Sequence, residues 1–496
     1  MQFLTDLEFS TNKYLHRDAF FINGLSYTYS DLSNSISKIR NSIRNEISAT
    51  EFNIGVVAND DLETYASIFA LWLEGKAYVP LSPEMPVERN ENIISQAFLK
   101  TIIDSSSSPL FGTIKTIRSK ECNSVTVDLH PIEITDESAV YILFTSGTTG
   151  QPKGVPISRK NLQGFVDAFH NMKIAVDEND RCLQMFELTF DLSVMSYLIP
   201  LLHGACVYTI PKDKIKFAYI FELMDEQRLT FALMVPSILH YLRPYFDEIH
   251  FPEMKYSLFC GEALPIDITI EWSKCLPNAI IHNVYGPTED TIFCTSYVFQ
   301  KEESNKSYNG ILSIGKSMLG NKNVIIDEEN NVLPFNQIGQ LCLGGVQLTT
   351  GYWNNEDKNL ESFFMIYDKG NQTRFYKTGD LCSMDNEGDL MYIGRLDTQI
   401  KIQGFRVELS EIEFHVKSFL DKISIVALAI KDAKGNTEIG LVIESQKIET
   451  EALLIYMKMK MPAYMIPKRI EFIEKFMLNS NGKTDRKRLA LLFNES

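Results

Sequence analysis

At 496 residues the chain is too long for one ordinary hydrophobic core and calls for two or more domains. It carries 48 Lys plus Arg against 64 Asp plus Glu, a net charge of −16; this disfavours a nucleic-acid scaffold, whose phosphate contacts need a basic face. Hydrophobic residues make up 45% and charged residues 23%, as in globular chains, and no apolar run reaches the roughly 18 residues of a membrane span.

The first residues, MQFLTDLEFS, lack the basic-then-apolar pattern of a signal peptide. The eight cysteines include no CxxC pair and read as reduced, buried thiols rather than a disulfide framework. A cytoplasmic protein is expected. Apolar runs then recur as strand candidates: Asn53 to Ala58, Ala77 to Leu81, Ala139 to Phe144, Ala205 to Ile210, Phe231 to Val235, Tyr256 to Cys260 and Ala279 to Val284. Amphipathic stretches such as Leu62 to Glu74 separate several of them, which argues for α/β layers. SSSSPLFG, from Ser105, reads as a loop.

From Ser313 to Tyr392 the runs shorten and Gly, Asn and Asp turns multiply, so a mainly β subdomain is expected. After GRLDTQIKIQG, starting at Gly394, the pattern becomes helix (Ser410 to Leu420), strands (Ile423 to Ile430, Ile439 to Ile443) and helix (Glu451 to Lys460). The expected architecture is a large α/β N-terminal domain with a β subdomain, residues 1–396, and a small α+β domain, residues 397–496, with a hinge at Asp397.

The segment YILFTSGTTGQPKGVPIS, Tyr141 to Ser158, ends a buried strand in a burst of Thr, Ser and Gly. Its spacing, Gly147-x-x-Gly150-x-x-Lys153-Gly154, fails the Walker pattern, which needs four residues between its glycines and Ser or Thr after Lys. The chemistry still favours phosphate. Glycines let backbone N–H groups approach an anion, hydroxyls add donors, and Lys153 adds charge. Alone, such a burst is more often a surface linker.

The same segment resembles the phosphate-binding signature of adenylate-forming ligases: acyl-CoA synthetases, luciferases and nonribosomal peptide synthetase adenylation domains. The resemblance runs in order along nearly the whole chain: LSYTYSDL at Leu25, GKAYVPLSPEMP at Gly75, FDLSVMS at Phe190, NVYGPTED at Asn283, GGVQLTTGYWN at Gly344, YKTGDL at Tyr376, GRLDTQIKIQGFRVELSEIE at Gly394 and NSNGKTDRKRL at Asn479. It implies ATP and Mg²⁺. Thr145, Ser146, Gly147, Thr148, Thr149 and Gly150 would hold the β- and γ-phosphates with Lys153 nearby. Asn283 and Tyr285 would meet the adenine, Thr288 the α-phosphate, Glu289 the metal, and Asp380 with Arg395 the ribose, with Gly286 also in the ATP site. Lys483 would bridge the substrate carboxylate and the α-phosphate. Taken singly, Asp380 is a turn residue, and Glu289 and Lys483 are solvated charges; their places in the motifs lift them above that.

FDLSVM and LFCGE (Leu258 to Glu262) resemble D-alanine–carrier protein ligases in particular. In amino-acid-activating members the residue at Asp191 pairs with the substrate ammonium; its plainer reading is a cap on a helix starting at Leu192. The resemblance places Asp191, Leu192, Met195, Leu258, Cys260, Val284, Ile292 and Phe293 around the acyl pocket. Those side chains are nearly all apolar, and bulky Phe293 leaves room for a small amino acid, alanine or similar. The run Thr291-Ile292-Phe293 is bulkier than the Ala-rich run of D-alanine ligases, and Gly339-Gln340 replaces their Gly-Glu.

Only 13 residues follow Lys483, so the expected acceptor is a separate carrier protein with a phosphopantetheine arm, docking on a basic patch for which KMKMPAYMIPKR (Lys458 to Arg469) is one candidate. The alternatives are an acyl-CoA or aryl-CoA ligase, a stand-alone adenylation enzyme for another amino acid of a nonribosomal peptide pathway, and a nucleotide-binding protein without catalysis.

Overall fold

The computed structural model describes residues 2–147, 150–368, 371–420, 423–477 and 484–493. Two compact units emerge, one of Met1–Pro83, Ile94–Leu143 and Gly154–Leu396, the other of Glu84–Ile93, Phe144–Lys153 and Asp397–Ser496.

The larger unit holds two mostly parallel sheets and an antiparallel one. In the nine-stranded sheet, six strands run parallel in the order Asp18–Ile22, Cys206–Thr209, Arg181–Gln184, Phe231–Met234, Tyr256–Phe259, Ile280–Tyr285. Antiparallel strands close its edges. In the six-stranded sheet, Asn53–Val57 pairs parallel with Ala77–Leu81, which is itself parallel to Ala139–Thr145. Strands of this kind are buried on both faces and read as continuous apolar runs; Ala77–Leu81 is buried at every position.

Helices cover these sheets and are locally specified. Ser158 Oγ accepts the Asn161 N–H at 3.1 Å while Asn161 Oδ1 accepts the Ser158 N–H at 3.0 Å. This reciprocal cap starts the helix Arg159–Asn171. The helix Leu62–Leu73 is buried almost all round, and its Trp72 indole donates to Val140 O at 2.9 Å. The helix after Phe190 begins at Asp191, so Asp191 is its first residue and not its cap. The turn-rich stretch is mainly β, as expected; it forms an antiparallel sheet of five strands, with one short helix, Glu356–Ser362, beside it.

The smaller unit packs a three-stranded sheet (Ile425–Lys431, Thr437–Glu444, Arg469–Ile473) with the helices Leu409–Leu420, Glu451–Lys460 and Arg486–Leu491. Val426, Leu428, Ile430, Val442, Leu489 and Phe493 form one of its buried clusters. Its ribbon Gln399–Ile402 and Phe405–Glu408 turns at Gln403 and Gly404, both with positive φ, which suits a two-residue hairpin.

Candidate functional site

The strand Ile280–Tyr285 ends at the carboxyl edge of the parallel sheet, where open α/β sheets bind ligands. Antiparallel register sets Asp380 opposite Arg395. Arg395 Nη1 donates to Asp380 Oδ1 at 2.6 Å, and the Tyr285 phenol donates to Asp380 Oδ2 at 2.5 Å. Burial, then the Asp380 charge, pushes the Tyr285 phenol well above its usual range, so it stays a donor. Asn283 Nδ2 donates to Ser313 O at 2.9 Å. Gly286 is required by packing: a Cβ there would meet Phe293 Cα at 2.4 Å.

Next along the chain, Thr288, Glu289 and Asp290 form one 3₁₀ turn. Thr288 is half-buried; Glu289 and Asp290 are fully buried. Tyr352 Oη donates to Glu289 Oε1 at 2.6 Å. Asp290 has no hydrogen-bond partner for either carboxyl oxygen among the described residues. Burial raises its pKa to about 7; the nearby Cys294 thiol, short of hydrogen-bond geometry, offsets this only in part. Thr291 and Ile292 then adopt φ of 49° and 74°, a left-handed conformation that is costly for a β-branched residue. Gln347 holds that turn. Its Nε2 lies 3.2, 3.0 and 2.9 Å from the carbonyls of Asp290, Thr291 and Phe293, and its own carbonyl accepts from Thr291 Oγ1 at 2.5 Å. So placed, the Ile292 N–H donates to Asp191 Oδ2 at 3.3 Å.

Leu192, Met195, Leu258, Cys260, Val284, Ile292 and Phe293 are all buried in the main hydrophobic core, which runs from Phe3 to Tyr376. Phe293 sets its ring edge-on to Phe165, centroids 5.0 Å apart. Asp191 is 5% exposed, on the first turn of its helix, where the dipole favours a carboxylate.

The Thr/Ser/Gly loop belongs to the smaller unit. Thr145 Oγ1 lies 3.5 Å from Lys153 O. Ser146 Oγ donates to Arg406 O at 2.8 Å, and the Gly147 N–H donates to Glu411 Oε2 at 3.2 Å. A Cβ at Gly147 would sit 2.0 Å from Gln151 O, and Gly150 has φ +75°, so this turn accepts only glycines there. Lys153 is buried. Asp397 Oδ1 accepts the Gln399 N–H at 3.1 Å. Thr148, Thr149 and Lys483 lie outside the described residues.

Four residues of these arrangements carry no individual signal in the sequence. Tyr352 reaches Glu289 from 63 positions away. Gln347 organises the strained turn, and Glu411 meets the loop. Tyr141 is fully buried, its hydroxyl has no partner among the described residues, and its phenol feels the Asp191 charge. All four do stand in motifs: Tyr141 in YILFTSGTTGQPKGVPIS, Gln347 and Tyr352 in GGVQLTTGYWN, and Glu411 in GRLDTQIKIQGFRVELSEIE.

Residues 7–353 match the family model described as AMP-binding enzyme. The chain belongs to the AMP-binding enzyme family. Among relatives, tyrocidine synthase 1 of Brevibacillus parabrevis is 30% identical over 477 residues, 93% of this chain but 42% of that protein. This AMP-binding enzyme likewise spans 7% of tyrocidine synthase 3 from the same organism. A D-alanine–D-alanyl carrier protein ligase of Lacticaseibacillus paracasei is 29% identical over 490 residues, 95% of each chain. In fold the enzyme is similar to the Vibrio cholerae adenylation domain AlmE, solved with glycyl-adenosine-5'-phosphate: TM-score 0.87, 24% identity, 100% of this chain and 98% of that one.

Proposed function

We propose that this enzyme activates a small amino acid, alanine or similar, as its aminoacyl adenylate, releases pyrophosphate, and passes the aminoacyl group to the phosphopantetheine thiol of a separate carrier protein. The observation that carries the reading is the burial of the Asp191 carboxylate, which accepts the Ile292 N–H at 3.3 Å. A carboxylate tolerated in so apolar a place suits a ligand bearing an ammonium, and a fatty or aryl acid offers none. In this reading Phe293, fixed against Phe165, restricts the substrate to a short side chain.

The chemistry joins two anions. The substrate carboxylate attacks the α-phosphorus, a new C–O–P bond forms, and the bond to pyrophosphate breaks. No base is needed, because the nucleophile is already ionised. The requirements are positioning and charge neutralisation. In this reading Asp380, braced by Tyr285 and Arg395, holds the ribose hydroxyls, Thr288 meets the α-phosphate, and the loop from Thr145 to Gly150 with Lys153 takes the departing phosphates. Lys483 offsets the repulsion between the two reacting groups. Glu289 fits a hard cation, since it presents a buried carboxylate oriented by Tyr352; Mg²⁺ there would neutralise phosphate charge. In the second step the carrier thiol attacks the acyl carbon, loses its proton, and expels AMP.

Loading tests this reading. The enzyme, ATP, alanine and a phosphopantetheinylated carrier are incubated, and the carrier is weighed by intact mass spectrometry. An aminoacyl mass shift supports it. A coenzyme A thioester of a fatty or aryl acid, with no carrier loading by any amino acid, would overturn it.

A further inference from the structure

Two helices of the larger unit end at a pair of histidines that the reaction does not use. His170 lies in the last turn of the helix Arg159–Asn171, and His203 caps the end of the helix Asp191–Leu202. Their Nε2 atoms are 3.1 Å apart, with ring planes at 85°. Two such nitrogens share one proton, so one of them presents a lone pair to the other.

This is also the separation a metal asks for. Zn–N bonds of about 2.0–2.1 Å at a tetrahedral angle put two ligating nitrogens roughly 3.3 Å apart. The observed pair needs to open by only a few tenths of an ångström. Each helix C-terminus carries a partial negative charge, and two of them converge here. The N-terminal helix Gln2–Lys13 packs beside both, with Ser10 Oγ donating to Leu201 O at 2.6 Å and the Phe3 N–H donating to Gln163 Oε1 at 2.8 Å. Burial and then the His170 charge hold the His203 imidazole below its usual range; the carboxylates of Asp6, between those two anchors, and of Asp180 oppose this in part. His170 is exposed, so water can complete the coordination shell.

The acidic trio Asp385, Glu387 and Asp389 is the opposite case. Lys306 Nζ already lies 2.6, 2.6 and 2.7 Å from the three carboxylates, and its ammonium fills the place a cation would take.

We infer that His170 and His203 form a two-imidazole site for a divalent transition metal of borderline softness, zinc(II) or nickel(II), which ties the C-terminal ends of their two helices together. Neutral imidazole suits these ions, whereas magnesium and calcium favour oxygen ligands. The site is distinct from the Glu289 carboxylate.

Calorimetric titration of tag-free protein with zinc chloride tests it, with magnesium chloride as comparison. One saturable equivalent of zinc is expected, together with a rise in the thermal midpoint. His170→Ala and His203→Gln should each lose that uptake while keeping the wild-type far-ultraviolet dichroism; glutamine preserves a hydrogen-bonding side chain but is a poor zinc ligand. Cobalt(II) in place of zinc should give visible d–d bands in the wild type alone. No uptake by the wild type, or the same stoichiometry and affinity in both variants, would show a plain histidine–histidine hydrogen bond and overturn the inference.

Discussion

The Gly147 N–H donates to Glu411 Oε2 at 3.2 Å, so a carboxylate of the helix Leu409–Leu420 occupies a backbone donor of the Thr/Ser/Gly loop. Glu411 is fully buried, and its other oxygen accepts from Arg89 Nη1 at 2.7 Å. Removing one member of a buried ion pair costs about 3–5 kcal/mol, because the survivor stays buried and uncompensated. Glu411→Ala should therefore lower the urea midpoint sharply. Adding Arg89→Met to it should recover part of the loss. A double variant that loses the sum of the two single losses would show that the pair is not coupled.

The Asp380 carboxylate is held from both sides, by Arg395 and by Tyr285. In Asp380→Asn the charge that organises both donors is gone. Hydrogen bonds to a charged group contribute about 1.5–3 kcal/mol each, so ATP affinity should fall by roughly ten- to a hundredfold. Calorimetric titration with ATP reads this directly. The KM for the amino acid should move far less, and an unchanged ATP affinity would remove Asp380 from the nucleotide site.

Strain at Thr291 and Ile292 depends on Gln347. Each left-handed position costs on the order of 1–3 kcal/mol, and the glutamine amide is what braces them. Gln347→Ala should relax the turn, move the Ile292 N–H away from Asp191, and raise the KM for the amino acid while leaving that for ATP in place. A uniform fall in kcat with both KM values unchanged would contradict the positioning role.

Asp290 gives the pH dependence a sign. Its pKa stands at about 7 in the folded protein against an ordinary 3.8, raised by burial. The folded state therefore holds the proton more tightly than the unfolded state. Asp290 contributes stability that is full at acid pH and is lost as pH rises through about 7, the value for the folded chain. Asp290→Asn keeps the shape and removes the ionisation. The difference in thermal midpoint between variant and wild type should shift in favour of the variant between about pH 4 and pH 7, then level off. A difference that stays constant across that range would refute the assignment.

Much of the architecture is legible in the sequence because parallel strands buried on both faces announce themselves as apolar runs: Phe231–Met234, Tyr256–Phe259 and Ile280–Tyr285 fall within or beside such runs. The residues expected around the acyl pocket come from separate motifs, and seven of them are buried in the main core. Long-range polar partners are not legible. Tyr352 and Gln347 act on residues 63 and 56 positions away, and no local pattern records such a contact. Taken apart from its motif, Asp191 reads as a helix cap because Asp favours that position. In the structure it is the first helical residue, and Phe190 takes the capping place.

ATP–pyrophosphate exchange reads the adenylation of a small amino acid at the step itself. A panel of D- and L-amino acids, fatty acids and aryl acids is assayed with the wild type and with Asp191→Ala. Exchange with alanine or another small amino acid is expected. Asp191→Ala should lose that exchange by roughly two orders of magnitude or more, the equivalent of about 3–5 kcal/mol for a broken buried pair. Exchange with fatty or aryl acids and none with any amino acid would contradict amino-acid adenylation.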